Sequence, residues 1–250
     1  MKILNDQPAE KLLRLENVSL HIDQVKILHD ITLHINGGEM VTLLGRNGMG
    51  KTSLVQAIMG MRRVRAGQGK ITFAGQEITA LPSFAIARLG IGLVPEQRQI
   101  FPNLTVLENL RVAARQQVDS PAGLPWDLNA VHKLFPILRE RAQQNAASLS
   151  GGEQQILAIG RALMTNPRLM ILDEATEGIS PIIRRQIWQC LAQLRQSGLA
   201  LLVIDKNISN LLALADRHYI LHKGRVVWHG TSPELRQNPE LIERELGAGT

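Results

Sequence analysis

The chain has 250 residues, 44% hydrophobic but only 3% aromatic, so it can bury a substantial core that must be mainly aliphatic. The single cysteine, Cys190, excludes an internal disulfide framework, and no apolar run reaches the ~18 residues of a membrane span. The net charge of +6 comes from scattered basic residues without interleaved aromatic ones, which argues against nucleic acid as a partner. Since the N-terminus also lacks an apolar signal core, we expect a cytosolic protein.

Alternating strands and helices are predicted along most of the chain. The stretch 12–38 alternates apolar and polar residues as antiparallel strands do. Short aliphatic runs that predict buried strands follow at 39–45, 91–96, 169–174 and 199–205. Helical patterns at 51–61 and 151–164 lie among them, so we expect an α/β fold with a mainly parallel sheet and an N-terminal antiparallel part.

Three further segments complete the organisation. Residues 105–141 are polar and helical, with a loop at 119–127, and predict a helical insertion over about 97–160. Residues 218–230 predict a hairpin that turns at Lys223 and Gly224. A helical tail at 231–250 is expected to begin with Ser232 as N-cap and Pro233 as its first helical residue. We expect one domain over 11–250.

The stretch "GRNGMGKT" has the spacing of a phosphate-binding loop, between a predicted strand and a predicted helix. Glycines let backbone N–H groups converge on phosphate oxygens at a helix N-terminus. Lys51 is expected to reach the β- and γ-phosphates, and the Thr52 hydroxyl to bind Mg²⁺. The predicted nucleotide-binding residues here are Gly45, Arg46, Asn47, Gly48, Met49, Gly50, Lys51, Thr52 and Ser53.

The run "LMILDE" ends a buried strand on two acids, at the edge where open α/β sheets bind ligands. Asp173 suits the coordination shell of Mg²⁺, and Glu174 is placed to polarise an attacking water. The simpler alternative is that the pair caps the following helix.

The stretch "LSGGEQQILAIGRAL" predicts a second helix start that could bind an anion. One nucleotide does not obviously need two such helix ends. The residues concerned are Leu149, Ser150, Gly151, Gly152 and Glu153.

These three motifs, in this order, resemble the nucleotide-binding subunit of an ATP-binding cassette (ABC) transporter over about residues 11–250. The resemblance implies a P-loop ATPase fold and ATP hydrolysis with Mg²⁺. It also implies ATP sandwiched between two subunits, so that the signature helix (149–153) serves the partner's nucleotide. Implied partners are a second ABC ATPase subunit, transmembrane permease subunits and, indirectly, a solute-binding protein, with the ATPase peripheral on the inner membrane face.

The stretches "VPEQRQIFPNLTVLENL", "DEATEGISP" and "LADRHYILHKGRVV" resemble the LivF-type ATPase of branched-chain amino acid importers. The ATPases of urea and short-amide importers have similar sequences. Within the first of these stretches, residues 98–106 are a candidate contact with the permease. Ile100 and Phe101 are apolar residues in an otherwise polar loop, although both could pack inward.

Four positions depart from the broader family. Glu96 stands where a γ-phosphate-sensing glutamine is usual, with Gln97 as the alternative, and Glu96 is expected to act in catalysis and near the metal. Ile22 replaces the adenine-stacking aromatic, with His21 as a possible substitute. Ser180 replaces an aspartate.

Lys206 is the fourth departure, since it occupies the place of the switch histidine. Its ammonium could contact the γ-phosphate, or it could point to solvent and pair with Asp205 or Glu174. "DKNI" superficially resembles a guanine-reading motif, but Asp205 and Ile208 do not match it, which argues against a GTPase. One copy of each motif argues against the two-cassette ATPases that act on ribosomes, and a length of 250 residues argues against the ATPases with long coiled coils that act on DNA.

Overall fold

The computed structural model describes residues 11–115 and 125–247. The strands in these ranges are β1 (Lys11–Ile22), β2 (Val25–Asn36), β3 (Met40–Leu44), β4 (Lys70–Phe73), β5 (Gln76–Glu77), β6 (Ile91–Val94), β7 (Leu169–Asp173), β8 (Ala200–Ile204), β9 (Arg217–His222) and β10 (Arg225–Thr231).

The helices in the same ranges are α1 (Lys51–Ile58), α2 (Ser83–Arg88), α3 (Val106–Ala113), α4 (Leu128–Leu134), α5 (Pro136–Glu140), α6 (Gly151–Met164), α7 (Pro181–Gln196), α8 (Ile208–Leu214), α9 (Ser232–Arg236) and α10 (Pro239–Leu246), with a 3₁₀ turn at Ala146–Ser148. Within the described ranges, every helix is too short or too polar to cross a membrane.

Two sheets form the framework, and they confirm the predicted fold class. The first is antiparallel, in the order β2-β1-β4-β5. The second has the order β10-β9-β3-β8-β7-β6 and is parallel except for β10, which pairs with β9 in the predicted hairpin. Strands β4 and β5 were not predicted, although the alternation in "KITF" is a strand signal.

The six-stranded sheet is covered on both faces, which explains its continuous apolar strands. Successive side chains of a strand point to opposite faces. In β8, for example, Leu201 and Val203 join a core with the helices between β6 and β7, whereas Leu202 and Ile204 join a core with α1 and the antiparallel sheet. Both cores are built mainly from aliphatic residues, as the composition predicts.

Helices α3 to α6 lie between the neighbouring parallel strands β6 and β7, in the region of the expected helical insertion. The last of them, α6, continues to Met164, beyond the expected boundary near 160. Most of the predicted loop at 119–127 lies outside the described residues.

The predicted start of the C-terminal tail was wrong by one residue. Thr231 is the N-cap of α9, and its N–H and hydroxyl both donate to Glu234 Oε2, at 2.7 and 2.9 Å. Ser232 is buried instead, and its hydroxyl bonds His218 Nε2 at 2.7 Å. Pro233 is consequently the second helical residue rather than the first.

Candidate active site

The phosphate loop connects β3 to α1, so its backbone N–H groups meet at a helix N-terminus. Gly45 has φ +146°, and a Cβ there would lie 2.4 Å from the Leu221 carbonyl oxygen, so only glycine fits against the β9 backbone. The Lys51 ammonium folds back and donates to the Gly45 and Arg46 carbonyl oxygens, at 2.9 and 3.0 Å. Burial and, more weakly, the charge of Lys206 lower the pKa of Lys51.

A cleft of about 460 Å³ opens over this loop. It brings together residues that were predicted from four separate motifs and one residue, Ile27, that was not predicted. The lining residues are Ile22, Ile27, Asn47, Gly48, Gly50, Lys51, Thr52, Ser53, Glu96 and Glu174. Gly45, Arg46 and Met49 belong to the same loop, and Met49 faces the β9–β10 turn, where its carbonyl accepts from Gly224 N at 3.0 Å.

The two candidates for the base contact differ in placement. Ile22 lies in the cleft wall beside Ile27, where both offer apolar surface without a ring to stack. His21 lies outside the lining, and its Nδ1 is 3.2 Å from Gln68 Oε1. The structure therefore places Ile22, not His21, against the cleft.

Asp173 ends β7 beside the phosphate loop and is almost completely buried. Burial raises the pKa of Asp173, while a hydrogen bond from Thr52 opposes that change. Its Oδ1 is buried without a hydrogen-bond partner, which is costly for a carboxylate unless a cation binds there. A carboxylate and a hydroxyl are oxygen ligands of the kind Mg²⁺ prefers, so the site fits this ion.

Protein side chains alone do not enclose a metal at this position. Within 11–115 and 125–247, no three His, Cys, Asp or Glu side chains converge as a metal cluster. Thr52 and Asp173, with Glu96 across the cleft, are therefore expected to leave coordination positions to phosphate oxygens and water. Glu96 lines the cleft and Gln97 does not, so Glu96 is the better placed of the two alternatives.

Glu174 follows the strand in a left-handed conformation, with φ +52°, which is uncommon for a residue with a side chain. Its N–H donates to the Ile204 carbonyl at 2.8 Å, which holds it against the end of β8. A hydrogen bond with Glu177, followed by burial, raises the pKa of Glu174 to about 7. The Glu174 carboxyl group, at the edge of the cleft, therefore has a higher proton affinity than an ordinary glutamate.

Lys206 does point toward solvent, but the predicted partners were wrong. Its Nζ is 2.5 Å from Glu177 Oε1, and both side chains are about half exposed. Asp205 serves another purpose, since its two oxygens accept from Thr176 and from the Asn207 N–H. The two charged residues after β8 therefore have separate roles. Asp205 stabilises the neighbouring loops through hydrogen bonds, and Lys206 forms an ion pair with Glu177.

The signature residues stand apart from the cleft of their own chain, because none of them is among its lining residues. Ser150 is the N-cap of α6, its Oγ accepts from Glu153 N, and Glu153 Oε2 accepts from Ser150 N at 2.8 Å. A Cβ on Gly152 would lie 2.9 Å from Ile183 Cγ1 of α7, which explains a glycine there. Leu149 is buried in the core, and Gly151 lies against the Arg98 guanidinium. Ser180, the other departure, is the N-cap of α7.

Glu177, like Ile27, was not predicted from the sequence. It contacts both proposed catalytic groups, Glu174 and Lys206, from within the turn "TEGIS". Its position three residues after Glu174 was a usable signal, because a tight turn brings such residues together.

Comparisons with known proteins agree with this geometry. The family described as ABC transporter matches residues 28–177. The branched-chain amino acid transport ATP-binding protein BraG of Pseudomonas aeruginosa is 41% identical over 236 residues, which are 94% of this chain and 100% of BraG. The lipopolysaccharide export ATP-binding protein LptB of Escherichia coli is 37% identical, with 89% of this chain and 91% of LptB covered.

Solved structures give the same result. A nucleotide-free ATP-binding cassette has a TM-score of 0.78 at 27% identity, over 96% of this chain and 100% of its own. The ADP form of the cassette MJ1267 has a TM-score of 0.75 at 26% identity, over 96% and 98%. The chain is therefore an ATP-hydrolysing member of the ABC transporter family.

Proposed function

We propose that this chain, as one ATPase domain over 11–250, energises an importer of branched-chain amino acids. The observation that carries this proposal is the 41% identity to BraG along the whole of that protein. LptB, an export ATPase, is nearly as similar to this chain. The comparisons therefore support the ATPase role more strongly than the identity of the transported solute. A urea or amide importer is the alternative that uses the same ATPase chemistry.

We assign a task to each group in the cleft. Bound Mg²⁺ would neutralise phosphate charge, and Thr52 and Asp173 are the residues that would hold it, with Glu96 beside them. The Lys51 ammonium exchanges the carbonyls of its own loop for the β- and γ-phosphates. Glu174, at the rim of the same cleft, accepts a proton from the attacking water.

A second ATPase subunit is needed to complete the site. The signature residues do not line the cleft of their own chain, so a second copy or a related ATPase would bring its Ser150 region to the γ-phosphate. We place the dimer on the inner face of the membrane, bound to permease subunits, with a solute-binding protein acting through them.

The loop 98–106 is our candidate for the permease contact. Phe101 is 44% exposed, and the Arg161 guanidinium lies 4.2 Å from its ring centroid. Ile100 packs against the core instead. Phe101 therefore carries the exposed apolar surface of this loop, and Ile100 supports it from inside.

Uptake in a deletion strain tests the proposal. We expect loss of radiolabelled leucine, isoleucine and valine uptake, restored by the wild-type gene but not by Glu174→Gln. Glu240→Gln, an exposed glutamate of α10, is the matched control and should restore uptake. Normal uptake of all three amino acids in the deletion strain would refute the assigned solute, and full restoration by Glu174→Gln would refute the catalytic assignment.

A further inference from the structure

A second cleft, of about 490 Å³, adjoins the nucleotide cleft on the far side of Glu174. Glu174 lines both clefts, and Glu177 and Lys206 line the second. The Glu177–Lys206 ion pair therefore lies immediately beside the place where the γ-phosphate is expected.

Lys206 has one acidic partner at hydrogen-bonding distance among the described residues, and that partner is Glu177. Asp205 is engaged elsewhere, since its oxygens accept from Thr176 and Asn207. The nearby Arg184, which also lines this cleft, donates to the Ile179 carbonyl at 3.2 Å. Arg184 is partly buried with its Nε enclosed, whereas Lys206 is exposed, so Lys206 is the better placed of these two cations to meet a new anion.

Glu177 is held in place by the turn that carries it. Its N–H donates to the Glu174 carbonyl at 3.2 Å, and the N–H of Glu174 donates to Ile204. The backbone that positions the catalytic carboxylate therefore also positions Glu177. Lys206 has the longer and more flexible side chain of the pair, so its ammonium is the group that can change partners.

From this arrangement we propose that Glu177 is a positioning residue that holds Lys206 beside the cleft, and that Lys206 exchanges Glu177 for the γ-phosphate when ATP binds. The inference rests on the proposed ATPase site. ADP lacks the γ-phosphate, so it leaves the ion pair intact. Glu177 accordingly sets how strongly the site prefers triphosphate over diphosphate.

The size of the effect follows from the exposure of the pair. Exposed ion pairs contribute little, so the partner exchange should change the preference for triphosphate only about two- to fivefold. Removing the charge of Glu177 releases Lys206 and should increase that preference. The same substitution also removes a negative charge near the phosphates, and this direct effect must be separated from the effect through Lys206.

A double-mutant cycle makes that separation. We would measure the Kd values of AMP-PNP and ADP, both with Mg²⁺, for wild type, Glu177→Gln, Lys206→Met and the double variant. Glu177→Gln should raise the ratio of the ADP Kd to the AMP-PNP Kd about two- to fivefold in the wild-type background. In the Lys206→Met background only the direct effect of the removed charge remains, so the ratio should rise clearly less.

Glu77→Gln is the matched control, because Glu77 forms a similarly exposed pair with Lys70 at 3.3 Å on the antiparallel sheet. It should leave the ratio unchanged. An equal rise in both Lys206 backgrounds, or no rise in either, would overturn the proposal, since Glu177 would then act without Lys206. Failure of the wild type to bind either nucleotide would instead refute the proposed function.

Discussion

The hydroxyl of Thr176 donates to Asp205 Oδ2 at 2.6 Å, and the N–H of Thr176 donates to the same oxygen at 3.2 Å. Thr176 follows the catalytic acid on the loop after β7, whereas Asp205 follows β8. The pair thus fastens the loop that carries Glu174 to the neighbouring strand. This contact explains why an acid, Asp205, follows the buried strand β8, without giving Asp205 a direct part in phosphate chemistry.

Asp205→Ala should therefore loosen the catalytic loop. We expect kcat for ATP hydrolysis to fall by about tenfold, because a misplaced catalytic group is costly, with a much smaller change in ATP affinity. The unpartnered Thr176 groups should also lower the free energy of unfolding by about 1–3 kcal/mol. Steady-state ATPase assays and urea unfolding would measure these effects. Ser209→Ala, an exposed change nearby, is the control, and wild-type kcat in Asp205→Ala would contradict this role.

Lys51→Ala should abolish tight nucleotide binding. The substitution removes the cation that is expected to bind the phosphates and also the two hydrogen bonds to its own loop. Hydrogen bonds of charged groups contribute about 1.5–3 kcal/mol each, so the Kd for ATP should rise at least about tenfold. Calorimetric titration would measure it, with Lys133→Ala, an exposed change on α4, as control. Unchanged ATP affinity would refute the assignment of the loop.

Two glycines of the phosphate loop should respond differently to alanine. Both have positive φ, but a Cβ on Gly45 would meet the Leu221 carbonyl, whereas nothing lies within 4 Å of one on Gly48. Gly48→Ala should lower the free energy of unfolding by about 1 kcal/mol, from backbone strain alone. Gly45→Ala should lower it by about 1–3 kcal/mol more, because the loop must move away from β9. Equal effects in urea unfolding would contradict the close approach.

His218 should make stability depend on pH. The ring is fully buried, with Nδ1 2.6 Å from Thr42 Oγ1 and Nε2 2.7 Å from Ser232 Oγ. Burial, and then the charge of Arg236, lower the pKa of His218 from 6.5 to about 4. As pH falls from 6.5 toward 4, the unfolded chain binds a proton that the folded chain excludes, so stability decreases, by about 3 kcal/mol in total.

His218→Gln removes this titration. Its free energy of unfolding should be lower near neutral pH but should fall less steeply between pH 6.5 and 4. The exposed His229→Gln is the control and should keep the wild-type slope. Identical slopes in wild type and His218→Gln, measured by urea unfolding at several pH values, would show that His218 does not cause the loss.

Local patterns predicted the fold and most residues around the nucleotide cleft. Gly45 to Ser53 are contiguous, and Asp173 and Glu174 end a strand whose apolar run is unmistakable. Strands in a parallel sheet deliver their carboxyl ends to one edge, so these separate motifs had to meet. The prediction and the structure agree because strands, helices and the loops that join them follow regular patterns over short stretches of sequence.

The errors involve side chains that choose between partners far apart in sequence. Lys206 lies 29 residues from Glu177, and only the pairing of β7 with β8 brings their following loops together. Ser232 looked like a helix cap, but His218 of β9 engages its hydroxyl and leaves the cap to Thr231. The partners of Lys206 and Ser232 could not be predicted from nearby sequence, because they depend on contacts with residues that are distant along the chain.

The start of α6 already carries an anion of its own. Glu153 Oε2 accepts from the Ser150 N–H, and the Arg141 guanidinium lies 3.7 Å from Glu153 Oε1. A phosphate brought to this helix end by a second copy, as proposed above, would therefore lie close to an internal carboxylate as well as to the N–H groups of the first helical turn.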